Sequence, residues 1–118
     1  MTIKEFYEAV SGDYEDTLGR MMKEERILKY LNKFKDSQDY ENLLKSIEED
    51  NIEEIFRNSH SLKGVALNLG LSKLAKDSSD FCDLFRNGRP ETDYSELLEL
   101  VKEDYKTVIE NIKTLTEQ

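Results

Sequence analysis

Residues 51–70 read NIEEIFRNSHSLKGVALNLG, and this stretch decides the fold class. Apolar and small residues recur in it at alternating steps of three and four: Ile52, Ile55, Ser59, Leu62, Ala66 and Leu69. That spacing is typical of a helix that turns one ridge towards a core. Asn51 with Glu54 has the pattern of an N-cap and capping box, and Gly70 suits the position just beyond a helix end. The stretch therefore predicts one long amphipathic helix.

Two further long helices are predicted towards the C-terminus. The first starts near Ser72 and is ended by Gly88 and Pro90. Its core-facing positions are Leu74, Ala75, Ser78, Phe81, Cys82 and Phe85. Asp93 with Glu96 caps the last helix. Its stripe consists of Tyr94, Leu97, Val101, Tyr105, Val108, Ile112 and Leu115.

Shorter helices are predicted towards the N-terminus. Thr2 with Glu5 forms a capping-box pattern that opens a first helix, which residues 11–12 (Ser-Gly) end. Asp13 caps a second short helix that contains Leu18 and Met21. Two more stripes flank a break at residues 36–37; they are Ile27, Leu28, Leu31 and Phe34, then Tyr40, Leu43, Leu44 and Ile47.

Length and composition suit a helical bundle. The chain has 118 residues, of which 37% are hydrophobic and 36% charged, with a single proline. A chain of this length forms one domain and buries a core without disulfide or metal staples. Because long helices with short connections pack as antiparallel neighbours, we expect a single all-α domain over 1–118. Residues 24–116 would form an up-down bundle, and residues 1–22 would form helices that cover it.

Several classes of function are disfavoured. The net charge is −9, with 17 basic and 26 acidic residues, whereas binding to a nucleic-acid backbone needs clustered Lys and Arg. No apolar run approaches the ~20 residues of a membrane span, and the first five residues lack the apolar stretch of a signal peptide. A lone cysteine, Cys82, agrees with a reducing compartment. We therefore expect a cytoplasmic protein that binds neither nucleic acid nor membrane.

Enzymatic sites are also disfavoured. One histidine and one cysteine fall short of the ligands that a zinc site needs. Ser59 and Ser61 adjoin His60 in sequence but project in different directions from it, which argues against a hydrolytic triad. The chain has no Gly-rich phosphate loop and no kinase nucleotide motif, so we expect no autokinase activity.

The single histidine, His60, points away from the core ridge. At ~100° per residue it lies roughly 130° from the ridge centre, which falls between Ser59 and Leu62. We therefore expect an exposed imidazole, whose free ring nitrogen can act as a nucleophile.

Four neighbours of His60 fit phosphoryl chemistry. Lys63 lies one turn away on the same side, where its ammonium can offset phosphoryl charge. Gly64 lies beside His60 and points outward, although glycine inside a helix costs roughly 1 kcal/mol against alanine. An outward glycine is understandable if another protein must approach the backbone closely. Phe56 and Leu67 would form the apolar rim of that docking face, or else simply flank the core.

Residues 60–64 (His-Ser-Leu-Lys-Gly), followed by residues 68–70 (Asn-Leu-Gly), resemble the His-x-Leu-Lys-Gly signature of histidine-containing phosphotransfer (HPt) domains. The resemblance implies a four-helix bundle, often with extra N-terminal helices, that carries a phosphoryl group. It implies that His60 is the phospho-acceptor and that Lys63 stabilises charge. It also implies docking of response-regulator receiver domains, including that of a hybrid histidine kinase, beside Gly64, on the face whose rim Phe56 and Leu67 would form. The carrier would be a monomer without a cofactor, and Mg²⁺ would stay on the receiver.

One position departs from the family pattern. Many HPt domains place Gln or Glu on the following helix, where it hydrogen-bonds the non-reacting nitrogen of the histidine ring. Aligned through Gly70, that position falls at about Cys82, which is a poor acceptor. Ser78, Ser79 or Arg86, each about one turn away, or a water molecule would then orient the ring.

Three functional hypotheses follow. The first is a free-standing shuttle between receiver aspartates. The second is the phospho-acceptor domain of a chemotaxis-type kinase, which we expect less because the sequence starts with Met1 and ends soon after the last helix. The third is a non-catalytic module that binds receivers without phosphotransfer, to which the missing Gln or Glu lends some support.

Overall fold

The computed structural model describes residues 1–116, and its regular structure over that range is entirely helical. The seven helices of the described chain are α1 (Ile3–Ala9), α2 (Tyr14–Met21), α3 (Glu24–Lys35), α4 (Asp39–Glu48), α5 (Ile52–Asn68), α6 (Ser72–Leu84) and α7 (Ser95–Thr116). None of them combines the length and the apolar composition that crossing a bilayer requires.

Helices α4 to α7 form the bundle. Each packs against the next along the chain, and three-residue connections reverse the direction between α4 and α5 and between α5 and α6. The rings of Tyr40 and Tyr105 stack with their centroids 3.7 Å apart and so join α4 to α7. Helix α3 also packs on α7. The predicted fold class, an antiparallel up-down four-helix bundle with short additional N-terminal helices, is confirmed.

The predicted caps explain where the first two helices begin. The Thr2 hydroxyl accepts from the Glu5 backbone N–H at 3.0 Å, and the Glu5 carboxylate accepts from the Thr2 N–H at 2.7 Å. Asp13 accepts from the backbone N–H of Asp16 at 3.0 Å. These bonds satisfy N–H groups that have no partner inside the helix.

The capping box predicted for α5 is only half present. Asn51 does cap the helix, since its side chain accepts from the Glu54 N–H at 3.3 Å. However, the Asn51 N–H donates to the Ser46 carbonyl at 3.0 Å, so it needs no bond from Glu54. The Glu54 carboxylate binds Arg57 instead.

Helix α6 ends earlier than predicted, at Leu84 rather than at Gly88 and Pro90. The Phe85 N–H donates to the Cys82 carbonyl, and the Gly88 N–H donates to the Phe85 carbonyl. Such bonds over three residues tighten a helix end and break the α-helical pattern. Gly88, with a φ of 103°, lies in the turn that follows.

The ridge of α5 and the stripe of α6 supply much of the core. Every predicted stripe position of α6 is buried, as is the α5 ridge except for the half-buried Ile52. Helix α7 buries Val101, Val108 and Ile112, while the other predicted stripe positions stay half-buried.

An acidic pair also lies buried between α6 and α7, which the apolar stripes do not predict. Asp77 and Asp104 are only 8% and 7% exposed. The Lys73 ammonium bridges them, at 3.0 Å from Asp77 and 2.6 Å from Asp104. Burial raises the pKa of Asp104 to about 6.

The N-terminal helices close the C-terminal end of α5. Carbonyls at this end have no helical partner, and donors from residues 7–20 reach them. The bonds run from the Tyr7 hydroxyl to Leu69 (2.7 Å), from the Asp13 N–H to Gly70 (2.9 Å) and from the Arg20 guanidinium to Asn68 (2.8 Å). This segment therefore fixes one end of the helix that carries the histidine.

Candidate functional site

His60 lies near the middle of α5 with its side chain exposed. Ser59 and Leu62, on either side of the ridge centre, are both fully buried. The imidazole therefore faces outward, as its angle from the ridge predicts.

An open cleft of about 630 Å³ lies beside His60, between α5 and the end of α6. Phe56 and Ser61 line it from α5, while Phe85 and Arg86 line it from the other side. The cleft thus exposes the imidazole in a partly apolar setting that other molecules can enter.

Three side chains form a layered arrangement in this cleft. The Phe56 ring lies 6.1 Å from the His60 ring, centroid to centroid, with the planes 19° apart. The Arg86 guanidinium lies over the Phe56 ring, 5.5 Å from its centroid. Arg86 also binds the Asp83 carboxylate at 2.8 Å. That hydrogen bond holds the pKa of Asp83 below its usual range, and the charge of Lys63 acts in the same direction.

Lys63 and Leu67 line a separate hollow of about 330 Å³ further along the groove between α5 and α6. Leu67 is 55% exposed, whereas Lys63 is half-buried. Lys76 and Ser79 face them from α6. The structure thus brings His60 and Phe56 together in one recess, and Lys63 and Leu67 in the next.

Gly64 is exposed, and apart from its chain neighbours and the adjacent backbone of α5 no heavy atom lies within 4 Å of the place where a Cβ would stand. Close helix packing therefore does not require this glycine. The backbone beside His60 is open to an approaching surface.

The two serines beside His60 differ sharply in environment. The Ser59 hydroxyl is buried and donates to the Ile55 carbonyl at 2.7 Å, which removes it as a nucleophile. Ser61 is exposed and lines the cleft.

Cys82 does not offer an acceptor to the imidazole. It is fully buried, and its thiol lies 3.7 Å from the Phe56 carbonyl. Ser78 is also buried, and Ser79 lines the hollow of Lys63 rather than the cleft. Of the sequence-based alternatives, Arg86 is the one that shares a cleft with His60. In the sequence, the only indication that Arg86 lies near His60 is its place about one helical turn after Cys82.

Over residues 1–116, no group of three or more His, Cys, Asp or Glu side chains is arranged to hold a metal ion. Beside the exposed imidazole of His60 lie the Arg86 guanidinium, in the same cleft, and the open backbone at Gly64.

Comparison with protein families matches the Hpt domain to residues 30–115. The match runs from within α3 almost to the end of α7 and leaves α1 and α2 outside. Comparisons with curated proteins and with solved structures found no match. Because the family match spans well over half of the chain, this protein belongs to the Hpt domain family, the phosphocarrier modules of phosphorelay signalling.

Proposed function

We propose that His60 is the phospho-acceptor and relays a phosphoryl group between the aspartates of response-regulator receiver domains. The observation that carries this proposal is an exposed imidazole within His-Ser-Leu-Lys-Gly, residues 60–64, on the outward face of a bundle helix. The Ser59 hydroxyl is buried and bonded to a carbonyl, and the exposed Ser61 hydroxyl is a weak nucleophile without an activating base, so His60 is the stronger nucleophile on this turn.

The transfer is an in-line displacement. The lone pair on the unprotonated nitrogen of His60 forms the P–N bond as the bond from phosphorus to the receiver's aspartate oxygen breaks. The aspartate leaves with that electron pair. Discharge to a second receiver runs the same step in reverse. Mg²⁺ belongs to the receiver's acidic site in this proposal, and the carrier supplies the nucleophile and the half-buried cation of Lys63.

The proposed docking face lies along the groove between α5 and α6. Gly64 leaves the backbone open beside His60, and Leu67 offers the most exposed apolar side chain of α5. Phe56 extends the apolar surface on the other side of His60. A receiver seated here would cover both recesses. We propose that receivers, including that of a hybrid kinase, are the partners of a monomeric cytoplasmic carrier without autokinase activity.

The test is phosphoryl transfer from labelled receiver domains to purified wild-type and His60→Gln proteins. We expect label on the wild type that is lost in acid, because a phosphoramidate is acid-labile, and none on His60→Gln. Ser61→Ala is the matched control, since it removes an exposed hydroxyl one residue away and should accept label normally. Acid-stable label, or label on His60→Gln, contradicts the proposal.

A second candidate is a module that binds receivers without accepting phosphate. The burial of Cys82, at the position where HPt domains usually place Gln or Glu, favours it. Saturable binding of a phosphorylated receiver with no transfer to the wild-type protein would support this alternative over the relay.

A further inference from the structure

The imidazole of His60 lacks the usual orienting partner from α6. A ring N–H needs an acceptor, but Cys82 is buried with its thiol at the Phe56 carbonyl. Arg86 reaches the same cleft, but a guanidinium carries donors only and cannot accept from the ring. Among the described residues, the ring's aromatic contact is with Phe56.

Phe56 packs against the core and also contacts two side chains of the cleft. It precedes His60 by four residues on α5, so the two side chains are adjacent on the helix surface. Its other neighbour is Arg86, whose guanidinium lies 5.5 Å from the ring centroid. A cation at this distance from an aromatic ring is attracted to its face. Asp83 anchors that guanidinium through a 2.8 Å hydrogen bond.

We propose that Phe56 is a positioning residue for His60 and that Arg86 holds Phe56 in place, so that stacking takes over the orienting role of an acceptor on α6. This inference rests on the proposed phosphotransfer at His60. Near-parallel stacking uses the face of the imidazole and leaves the nitrogens at its edge free. The bundle thus presents the ring in a restricted set of orientations to an incoming aspartyl phosphate, with one nitrogen available for in-line attack.

The stack can be tested without any phosphoryl donor. Proton NMR of the His60 ring should show an upfield ring-current shift that Phe56→Leu removes and Phe56→Tyr retains. Arg86→Gln should weaken the shift, whereas Arg86→Lys, which keeps the charge, should weaken it less. Because Phe56 is half-buried and Arg86 is exposed, we expect these variants to fold. An unchanged shift in Phe56→Leu contradicts the stack.

The orienting role needs a kinetic measurement that separates it from docking. The probe is a phosphorylated receiver domain that charges the wild-type protein, used over a range of concentrations. Phe56→Leu should lower the transfer rate at saturation roughly threefold, because a free side chain samples about three staggered wells where a stacked one holds one. The half-saturating receiver concentration should stay close to that of the wild type, because leucine keeps an apolar side chain in the docking face, and Phe56→Tyr should restore the rate.

If Phe56 served only in docking, its substitution would change the half-saturating receiver concentration and not the transfer rate at saturation. If Phe56→Leu raises the half-saturating concentration and leaves the saturated rate unchanged, the positioning role is wrong. A wild-type protein that no receiver charges contradicts the proposed function instead, while the NMR shift still decides whether the stack exists.

Discussion

Gly64 and Gly70 lie six residues apart, but only Gly70 has a backbone conformation and surroundings that exclude a side chain. Gly70 follows the end of α5 with a φ of 68°, in the left-handed region that side chains disfavour. A Cβ there would collide with the Thr17 hydroxyl. Gly64 lies inside α5, where a Cβ would meet only open space. The fold therefore requires Gly70, whereas it does not require Gly64, which we propose leaves room for a docking receiver.

Alanine at these two sites should change stability in opposite directions. Gly64→Ala should raise the free energy of unfolding by about 0.5–1 kcal/mol, the helix-propensity difference. Gly70→Ala should lower it by about 2 kcal/mol or more through the forced left-handed backbone and the clash with Thr17. Urea denaturation measures both. A stabilised Gly70→Ala protein would show that the turn is not as described.

Lys63→Ala should slow phosphoryl transfer roughly fivefold, because a nearby cation in water is worth about 1 kcal/mol towards developing negative charge. Lys63→Arg should recover most of the rate. Lys76→Ala is the matched control, since Lys76 lines the same hollow but binds Asp80 at 2.9 Å. Equal rates for Lys63→Ala and the wild type would remove the electrostatic role of Lys63.

At the scale of helices, the N-terminal segment and α5 depend on each other. Tyr7, which is 1% exposed, donates to the Leu69 carbonyl just beyond α5. Tyr7→Phe keeps the ring but leaves that buried carbonyl short of its best donor, since the Thr17 hydroxyl lies 3.5 Å away. We expect a loss of about 1–2 kcal/mol in unfolding free energy. Tyr14→Phe, which removes an exposed bond to Glu24, should cost far less, and equal losses would argue against the role of Tyr7.

The Asp77–Asp104 pair ties α6 to α7 in a pH-dependent way. The folded protein holds the Asp104 proton to about pH 6, whereas the ordinary aspartate pKa is 3.8. The stability that the raised pKa of Asp104 contributes is therefore fully present below about pH 4 and is lost as the pH rises towards 6. Hydrogen bonding to Asp104 lowers the pKa of Asp77. The contribution of Asp77 to stability therefore has the opposite pH dependence and is lost as the pH falls.

Asp104→Asn, which stays neutral, should remove the decline between pH 4 and 6. At pH 7 the variant should be more stable than the wild type by on the order of 1–2 kcal/mol, and at pH 4 the two should be similar. Urea denaturation across this pH range measures the difference. Asp80→Asn, which replaces an exposed acid on α6, should keep the wild-type profile. A persistent decline in Asp104→Asn would contradict the assignment of this pH dependence to Asp104.

Helix caps and apolar stripes were predictable because they depend on local spacing. Thr2, Asp13 and Asn51 cap the helices that the sequence predicts. The burial of Asp104 was not predictable, since it depends on Lys73 reaching across from another helix. The half-formed box at Asn51 likewise depends on a carbonyl contributed by α4.

At the scale of the whole molecule, the bundle holds an exposed histidine on a helix that is packed on both sides and closed at one end. The outward direction of His60 was predictable from the period of one helix. The cleft was not, because it depends on the register of α6 against α5, which brings Arg86 over Phe56. Residues 1–22 lie outside the family match, yet they bind the end of α5.

The most direct test of the central claim is to locate the phosphoryl group itself. Wild-type protein is charged by a phosphorylated receiver and digested at neutral pH, and the modified residue is assigned by mass spectrometry before and after a second receiver is added. We predict one phosphoryl group on His60 that disappears as the second receiver becomes labelled. A phosphoryl group on any other residue, or one that stays on His60 in the presence of every receiver able to deliver it, would contradict the relay.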